Sequence, residues 1–342
     1  MLGAATARHA ARAGIEVVLV EPEDPGHDRG ASGDETRIIR CAHGDDAWHT
    51  ASARRAWALW HEVDPSLVAP VGVQWLARRE DGFEAASERV LREQGIPCER
   101  ADPVAAGPYA WALHEPEAGV LRARRATQVL TEQAVQAGAR VVRGRARPDG
   151  ERVRVGDEVL EAGHVVWACG AWLAGLFPGL LDLRVTQQDV FWFDADAPLP
   201  AWCDFDGAAY GVGSVDGAGL KVCPDVTGPP LDVEGPPAPP DEAARARALD
   251  LLRTRFPAHA GARLRRRRTC HYELTADTRP VIAPHPERPS HWLLGGTSGH
   301  GFKHAPAWAE RLVERWLPGH EAPPAALGLG PRTGAVSLRT SG

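Results

Sequence analysis

The chain opens on a pattern that few folds accommodate. Gly3-Ala4-Ala5-Thr6-Ala7-Arg8-His9-Ala10-Ala11-Arg12-Ala13-Gly14 reads as a helix with a glycine stop, and Ile15-Glu16-Val17-Val18-Leu19-Val20-Glu21 reads as a β-branched strand ending in an acid. Helix, strand and acid in that order make the second half of a dinucleotide-binding βαβ unit. Gly3 takes the place of the third glycine of G-x-G-x-x-G, which allows close helix–strand packing, and Glu21 stands where an acid holds a ribose hydroxyl. Met1, the only methionine, sits where the residue between the second and third glycines belongs. This pattern predicts a start assigned to an internal codon, the true protein beginning about one strand and one turn earlier. The rival expectation is a genuinely shortened chain, without a central strand of its parallel sheet.

A second signal lies near the other end. Thr269-Cys270-His271-Tyr272-Glu273-Leu274-Thr275-Ala276-Asp277-Thr278-Arg279-Pro280 precedes an apolar strand and then Gly295-Gly296-Thr297-Ser298-Gly299-His300-Gly301-Phe302-Lys303, which leads into a helix over Ala305 to Trp316. A glycine loop entering a helix N-terminus predicts outward-facing N–H groups and a favourable field for an anion or an electron-rich ring edge. The polar loop over residues 25–35 runs into Thr36-Arg37-Ile38-Ile39-Arg40. On a helix or turn, Arg37 and Arg40 share one face, and two arginines beside an apolar pair call for anionic partners. His164-Val165-Val166-Trp167-Ala168-Cys169-Gly170-Ala171-Trp172 is an apolar strand running into a glycine turn.

Taken together, Cys-x-Tyr, then Asp, then Ser-Gly-His-Gly-Phe-Lys resembles the C-terminal part of the sarcosine oxidase and N-methyl-amino-acid oxidase family, flavoenzymes of the D-amino-acid-oxidase superfamily. Thr-Arg-Ile-Ile-Arg resembles a second signature of that family, and Ala-x-Gly-x-Trp a second glycine contact with the dinucleotide. The resemblance runs from Gly3 to about Trp316. It implies an α/β (α+β) fold: a Rossmann-like FAD-binding domain over 1–70, 120–183 and 264–320, a mostly antiparallel-sheet substrate domain over 71–119 and 184–263, and a tail over 321–342. Internal evidence agrees with that division. Helix Arg125 to Ala137 and strand Arg140-Val141-Val142 suit the first domain. The alternation from Val185 to Phe193, and the runs around Tyr210 and Lys221, suit a sheet of strands. Helix Glu242 to Phe256 is expected to return the chain to the first domain.

The resemblance further implies FAD-dependent oxidation of a secondary-amine amino acid to an imine, with oxygen reduced to hydrogen peroxide. FAD would be held by Gly3, Glu21, Ser32, Thr36, Arg37, Val142, Ala168, Gly170, Trp172, Gly299, His300, Gly301, Phe302 and Lys303, and bound covalently through Cys270. Arg40 and Lys303 would take the substrate carboxylate, Arg37 would lie near the flavin, Lys221 would stand over the flavin face opposite the substrate, and Tyr210 and Tyr272 would line the substrate pocket. Each has an ordinary alternative: a surface pair for the arginines, a solvated sheet lysine, core tyrosines, a strand-end acid. Gly33 and Asp225 fall where sarcosine-type enzymes commonly carry histidine, and His43 where tyrosine is common. A larger or cyclic secondary amino acid therefore fits the pocket as well as sarcosine does.

Composition adds limits. A net charge of -6, with 25% charged and 44% hydrophobic residues, excludes a global pull toward nucleic acid or anionic membrane. Six cysteines without Cys-x-x-Cys or Cys/His spacing predict no metal site and read as reduced thiols of a cytoplasmic protein. The partners expected are a small amino-acid substrate and oxygen, for a monomer. Rival readings are a flavin dehydrogenase with another electron acceptor, an inactive truncated remnant, a nicotinamide-only dehydrogenase, and a nucleophilic role for Cys270 without any Cys/His/Asn signature.

Overall fold

A computed structural model describes residues 1–332. The expected tail over 321–342 is thus described to residue 332, and its remainder lies outside the described residues. The chain divides into two units: Met1–Asp34, Ala123–Val185 and the segment from Tyr272 onward form the first, and Glu35–Arg122 with Thr186–His271 form the second. Residues 35–70 and 264–271, which the sequence reading put with the FAD-binding domain, fall in the second unit. Among the described residues no helix is long and apolar enough to cross a membrane.

The first unit is built of short strands and small side chains. Helix Leu2–Arg12 buries Ala4, Ala5, Ala7, Ala10 and Ala11, and these methyl-sized residues let it lie close against helices Ala123–Gln136 and Ala305–Arg311. Its buried Arg8 donates from Nε to Gln133 Oε1 at 2.6 Å. Strand Val18–Val20 pairs in parallel with Arg140–Val142, Leu19 opposite Val141. Val165–Trp167 pairs in parallel with His291–Gly295, which turns back antiparallel to Val281–Pro284. A meander of Ala146–Asp149, Arg152–Val155 and Glu158–Leu160 forms the unit's third small sheet. Trp167, Leu173, Phe177, Val281 and Leu293 form its core.

The second unit is organised by one broad sheet. Its order is Leu264–Leu274, Arg184–Phe193, Leu220–Pro224, Ala209–Val212, Ala201–Asp204, Val73–Ala77, Trp111–Glu115 and Glu99–Ala101. From Arg184–Phe193 through Glu99–Ala101 the neighbours are antiparallel except Ala201–Asp204 against Val73–Ala77. Alternation along the strands sends Phe191, Phe193, Trp202, Leu220 and Val222 to one core, closed by Ala248, Leu252 and Phe256. Helix Glu242–Arg255 therefore packs within this unit, against Leu220–Pro224. Asp241 caps it by accepting from Ala244 N at 2.9 Å, and Asp46 caps Ala47–Val63 through His49 N at 3.0 Å. A smaller sheet joins Thr36–Ile39, Gly119–Arg122 and Val68–Ala69.

Candidate functional site

In the first unit Ala168 and Glu21, two of the predicted dinucleotide-binding residues, lie near the start of helix Leu2–Arg12, which carries a third, Gly3. A β-carbon built on Gly3 would lie 3.5 Å from Ala168 Cβ, so the helix's first turn rests on the end of strand Val165–Trp167. That is ordinary contact, and packing alone would admit alanine. Gly170 is more demanding: its φ is +55°, and a β-carbon there would approach Glu273 Oε2 at 3.2 Å. Glu21 follows strand Val18–Val20, its N–H donating to Val142 O at 3.1 Å, while its Oε1 accepts from Glu23 N at 3.2 Å. Ser32 and Trp172 are half-buried.

Glu273 carried no role in the sequence reading. It is buried, and its Oε1 accepts from Thr297 N at 3.3 Å and Thr297 Oγ1 at 3.1 Å. Desolvation raises its pKa, and those hydrogen bonds with the Met1 ammonium pull it down. A lone Glu within Cys270-His271-Tyr272-Glu273-Leu274-Thr275 gives no sequence signal of such a place.

The glycine loop departs from expectation. It does not run straight into an α-helix: a 3-10 turn, Phe302–His304, precedes helix Ala305–Arg311. Several of its amides are used within the protein, Thr297 N by Glu273, Ser298 N by Glu273 O at 3.1 Å and His300 N by Thr297 O at 3.1 Å. The loop's shape is fixed by Ser298 at φ 49°, Gly299 at φ 80°, and Gly301, where a β-carbon would meet Thr297 Cβ at 2.5 Å. His300 Nε2 is 2.8 Å from Thr278 O, and buried Lys303 donates to His300 O at 2.9 Å. Tyr272 is half-buried on the same unit. The loop is a braced scaffold more than an open row of donors.

In the second unit, Thr36–Ile39 is a strand, not a helix or turn. β-Branched Thr36, Ile38 and Ile39 pair with Gly119–Arg122. On extended backbone Arg37 and Arg40, three apart, point to opposite sides, so the expected shared face is absent. Arg37 instead donates to Thr36 O at 2.8 Å and lies 3.8 Å from Cys270 Sγ. Arg40 lies over the Trp75 ring at 4.6 Å and donates to Ala42 O. Desolvation lowers its pKa, and the charge of Glu115 is among those that raise it. Cys270 is 5% exposed, with Arg37 the cation beside its sulfur. Lys221 is no solvated sheet lysine: it is 2% exposed, 4.7 Å from the Trp192 ring, 5.9 Å from the Tyr210 ring, and 3.5 Å from Thr36 O. Thr36 Oγ1 is buried without a protein partner, the kind of orphan a polar ligand satisfies.

The departures noted in the sequence also find their places. At Gly33 a β-carbon would collide with His27 O at 2.0 Å and Gly26 O at 2.9 Å, so no side chain fits there. His43 is buried, Nδ1 2.8 Å from Cys41 O. Asp225 N donates to Ala208 O at 2.5 Å.

Small residues at Gly3, Ala168 and Gly170 on one unit, and a broad, mostly antiparallel sheet carrying the buried Lys221 on the other, agree with a flavin-dependent oxidoreductase. The family model of FAD dependent oxidoreductases, DAO, matches residues 1–315, and the chain belongs to that family. It is 28% identical to monomeric sarcosine oxidase of Streptomyces avermitilis, the match covering 95% of this chain and 94% of that protein. N-methyl-L-tryptophan oxidase of Salmonella arizonae is 26% identical, covering 90% of each. The fold is also that of L-proline dehydrogenase from P. horikoshii, with a TM-score of 0.81 at 19% identity over 93% of this chain and 92% of that one. The residues of the first unit fit the dinucleotide part of FAD: Gly3, Ala168 and Gly170 leave a place poor in side chains.

Proposed function

We propose that this enzyme oxidises an amino acid bearing a secondary amine, N-methylated or cyclic, to the imine, and that oxygen takes the electrons to give hydrogen peroxide. FAD, when bound, supplies the acceptor for the hydride equivalent. Gly3, Glu21, Ser32, Val142, Ala168, Gly170, Trp172, Gly299, His300, Gly301 and Phe302 hold the dinucleotide in this reading, with Thr36 and Arg37. Cys270 is its attachment point, with the Arg37 guanidinium 3.8 Å from its sulfur. Arg40 offers the substrate carboxylate a bidentate fork and Lys303 a point charge. Tyr210 and Tyr272 supply pocket wall. Lys221 provides a fixed, desolvated positive charge suited to stabilise the anion that oxygen becomes as it is reduced.

The observation that carries the proposal is the burial of Lys221 against Trp192 and Tyr210. A lysine placed this deep between two aromatic rings suits a reaction that develops negative charge beside it. The test begins with acid precipitation of the purified protein. Flavin absorbance in the washed pellet supports the Cys270 linkage, and flavin only in the supernatant sinks it. Peroxide release is then measured under air with sarcosine, other N-methyl amino acids and cyclic imino acids. Flavin reduction without peroxide would replace oxygen by another acceptor.

A further inference from the structure

Among the buried charges of the second unit that the proposed roles leave unused, Glu115 lies nearest the Arg40 backbone. Glu115 is 1% exposed and ends strand Trp111–Glu115, opposite Val73. Both of its oxygens face N–H groups. Oε2 accepts from Cys41 N at 2.6 Å and Ala42 N at 3.3 Å, and Oε1 from Ala42 N at 3.2 Å and Trp75 Nε1 at 3.1 Å. Burial raises the pKa of Glu115, while the Cys41, Ala42 and Trp75 N–H groups and the Arg40 charge pull it down; a proton on either oxygen would be set against a donor.

These contacts converge on one neighbour. Cys41 and Ala42 are the two residues after Arg40. The carbonyl of Ala42 accepts from Arg40, and the Trp75 ring lies 4.6 Å from its guanidinium carbon. The backbone that carries Arg40 onward, the carbonyl that takes one of its donors, and the aromatic plate beside it are thus all tied to a single carboxylate. Glu115 does this without occupying the fork: its oxygens are engaged by neutral N–H groups, and it balances the Arg40 charge at a distance.

We propose that Glu115 is a positioning residue that sets the Arg40 guanidinium to receive a carboxylate, and so gives the enzyme its preference for amines that carry one. This rests on the reading of Arg40 given above. Glutamine at 115 would turn an NH2 group toward the Cys41 and Ala42 amides or the Trp75 indole, and the frame would shift.

The test is binding by the flavin-loaded protein, followed by flavin absorbance, with propionate and its uncharged isostere propionamide as probes. Arg40→Gln is expected to raise the propionate Kd about 100-fold and Glu115→Gln about 10-fold, neither moving the propionamide Kd, with the double variant no weaker than Arg40→Gln alone. If Arg40→Gln leaves propionate binding unchanged, or the native enzyme shows no response to propionate, the reading of Arg40 fails and the proposal with it. If Arg40→Gln weakens binding but Glu115→Gln does not, or the two effects add, or Glu115→Gln weakens both probes equally, the positioning role is overturned while the reading of Arg40 stands. Should Glu115→Gln not retain flavin, Trp75→Phe removes the indole N–H contact while keeping a smaller aromatic plate beside Arg40. It is expected to raise the propionate Kd about 3-fold with propionamide unmoved, and an unchanged propionate Kd there would overturn the proposal.

Discussion

The two units solve opposite problems with opposite residues. The first packs helix on helix through alanines, uses strands of three to five residues, and gathers its predicted ligand-holding positions where side chains are small: Gly3, Ala168 and Gly170. The second builds an eight-stranded sheet with tryptophans at its centre, then places charge inside it, at Lys221 and Glu115. The first unit also buries Arg8, Glu273 and Lys303, but it leaves atoms out at Gly3, Ala168 and Gly170, whereas the second sets its buried Lys221 against large aromatic rings. Added bulk should therefore hurt the first, and removed rings or charges the second.

The sharpest test of that contrast is packing. Trp202→Ala empties a fully buried site in the sheet core and is expected to cost about 3–5 kcal/mol. Val141→Ala, on a strand of the first unit where the side chain is 37% exposed, should change stability by less than about 0.5 kcal/mol. Denaturant titration of both variants decides it, and equal losses would break the comparison.

Next comes a buried acid of the second unit. Glu84, on helix Phe83–Glu93, is 3% exposed, and its pKa is raised to about 7, by desolvation first and the charges of Asp206 and Asp204 after it. A carboxyl whose folded pKa lies above its unfolded value binds more protons folded than unfolded, so stability falls as pH rises from about 4.5 to about 7 and then levels off. Glu84→Gln should remove that slope, gaining at most about 3 kcal/mol at pH 8 relative to the native chain and little at pH 4. Melting curves at both pH values check it, and an identical gain at both would reject the assignment.

The charge at 221 comes third. Lys221→Met keeps the length of the side chain against Trp192 and deletes its cation. Reoxidation of the reduced enzyme by oxygen is expected to slow about 100-fold, with anaerobic flavin reduction by substrate changed far less. Stopped-flow measurement of the two half-reactions separates them. The smallest effect belongs to the first unit. Gly170→Ala forces a β-carbon onto a backbone at φ +55° and should cost about 1–2 kcal/mol, whereas Gly3→Ala carries no such strain. Thermal shifts of the pair test whether small size matters there through backbone shape or through ligand approach; a drop in flavin occupancy of Gly3→Ala without a stability change would point to the latter.

What was legible in the sequence was local. Helix Ala123–Gln136 ends one residue before the predicted Ala137, and helix Glu242–Arg255 one before Phe256, because capping residues and glycine stops act within a turn. The family motifs brought the matching family to light because they are short and separately specific. What failed was set by distant partners. Thr36–Ile39 became a strand through Gly119–Arg122, and no window around Arg37 contains that pairing. Glu115 reaches Cys41 across 74 residues, and Glu273 reaches Thr297 across 24. In sequence both read as strand-end or in-strand acids, because burial, not spacing, gives them their part. Lys221 shows the same limit from the other side: Gly-Leu-Lys pointed to it through resemblance, while only the rings of Trp192 and Tyr210 reveal how dry its surroundings are.

The loop that closes on Gly33 has a bearing on how such an enzyme could be redesigned. With the carbonyls of Gly26 and His27 pressed against that Cα, an imidazole cannot be grafted at this position by changing one codon. Any side chain at position 33 would require exchanging the whole 26–33 segment as a cassette, so the loop and the residue at its end behave as a single heritable unit.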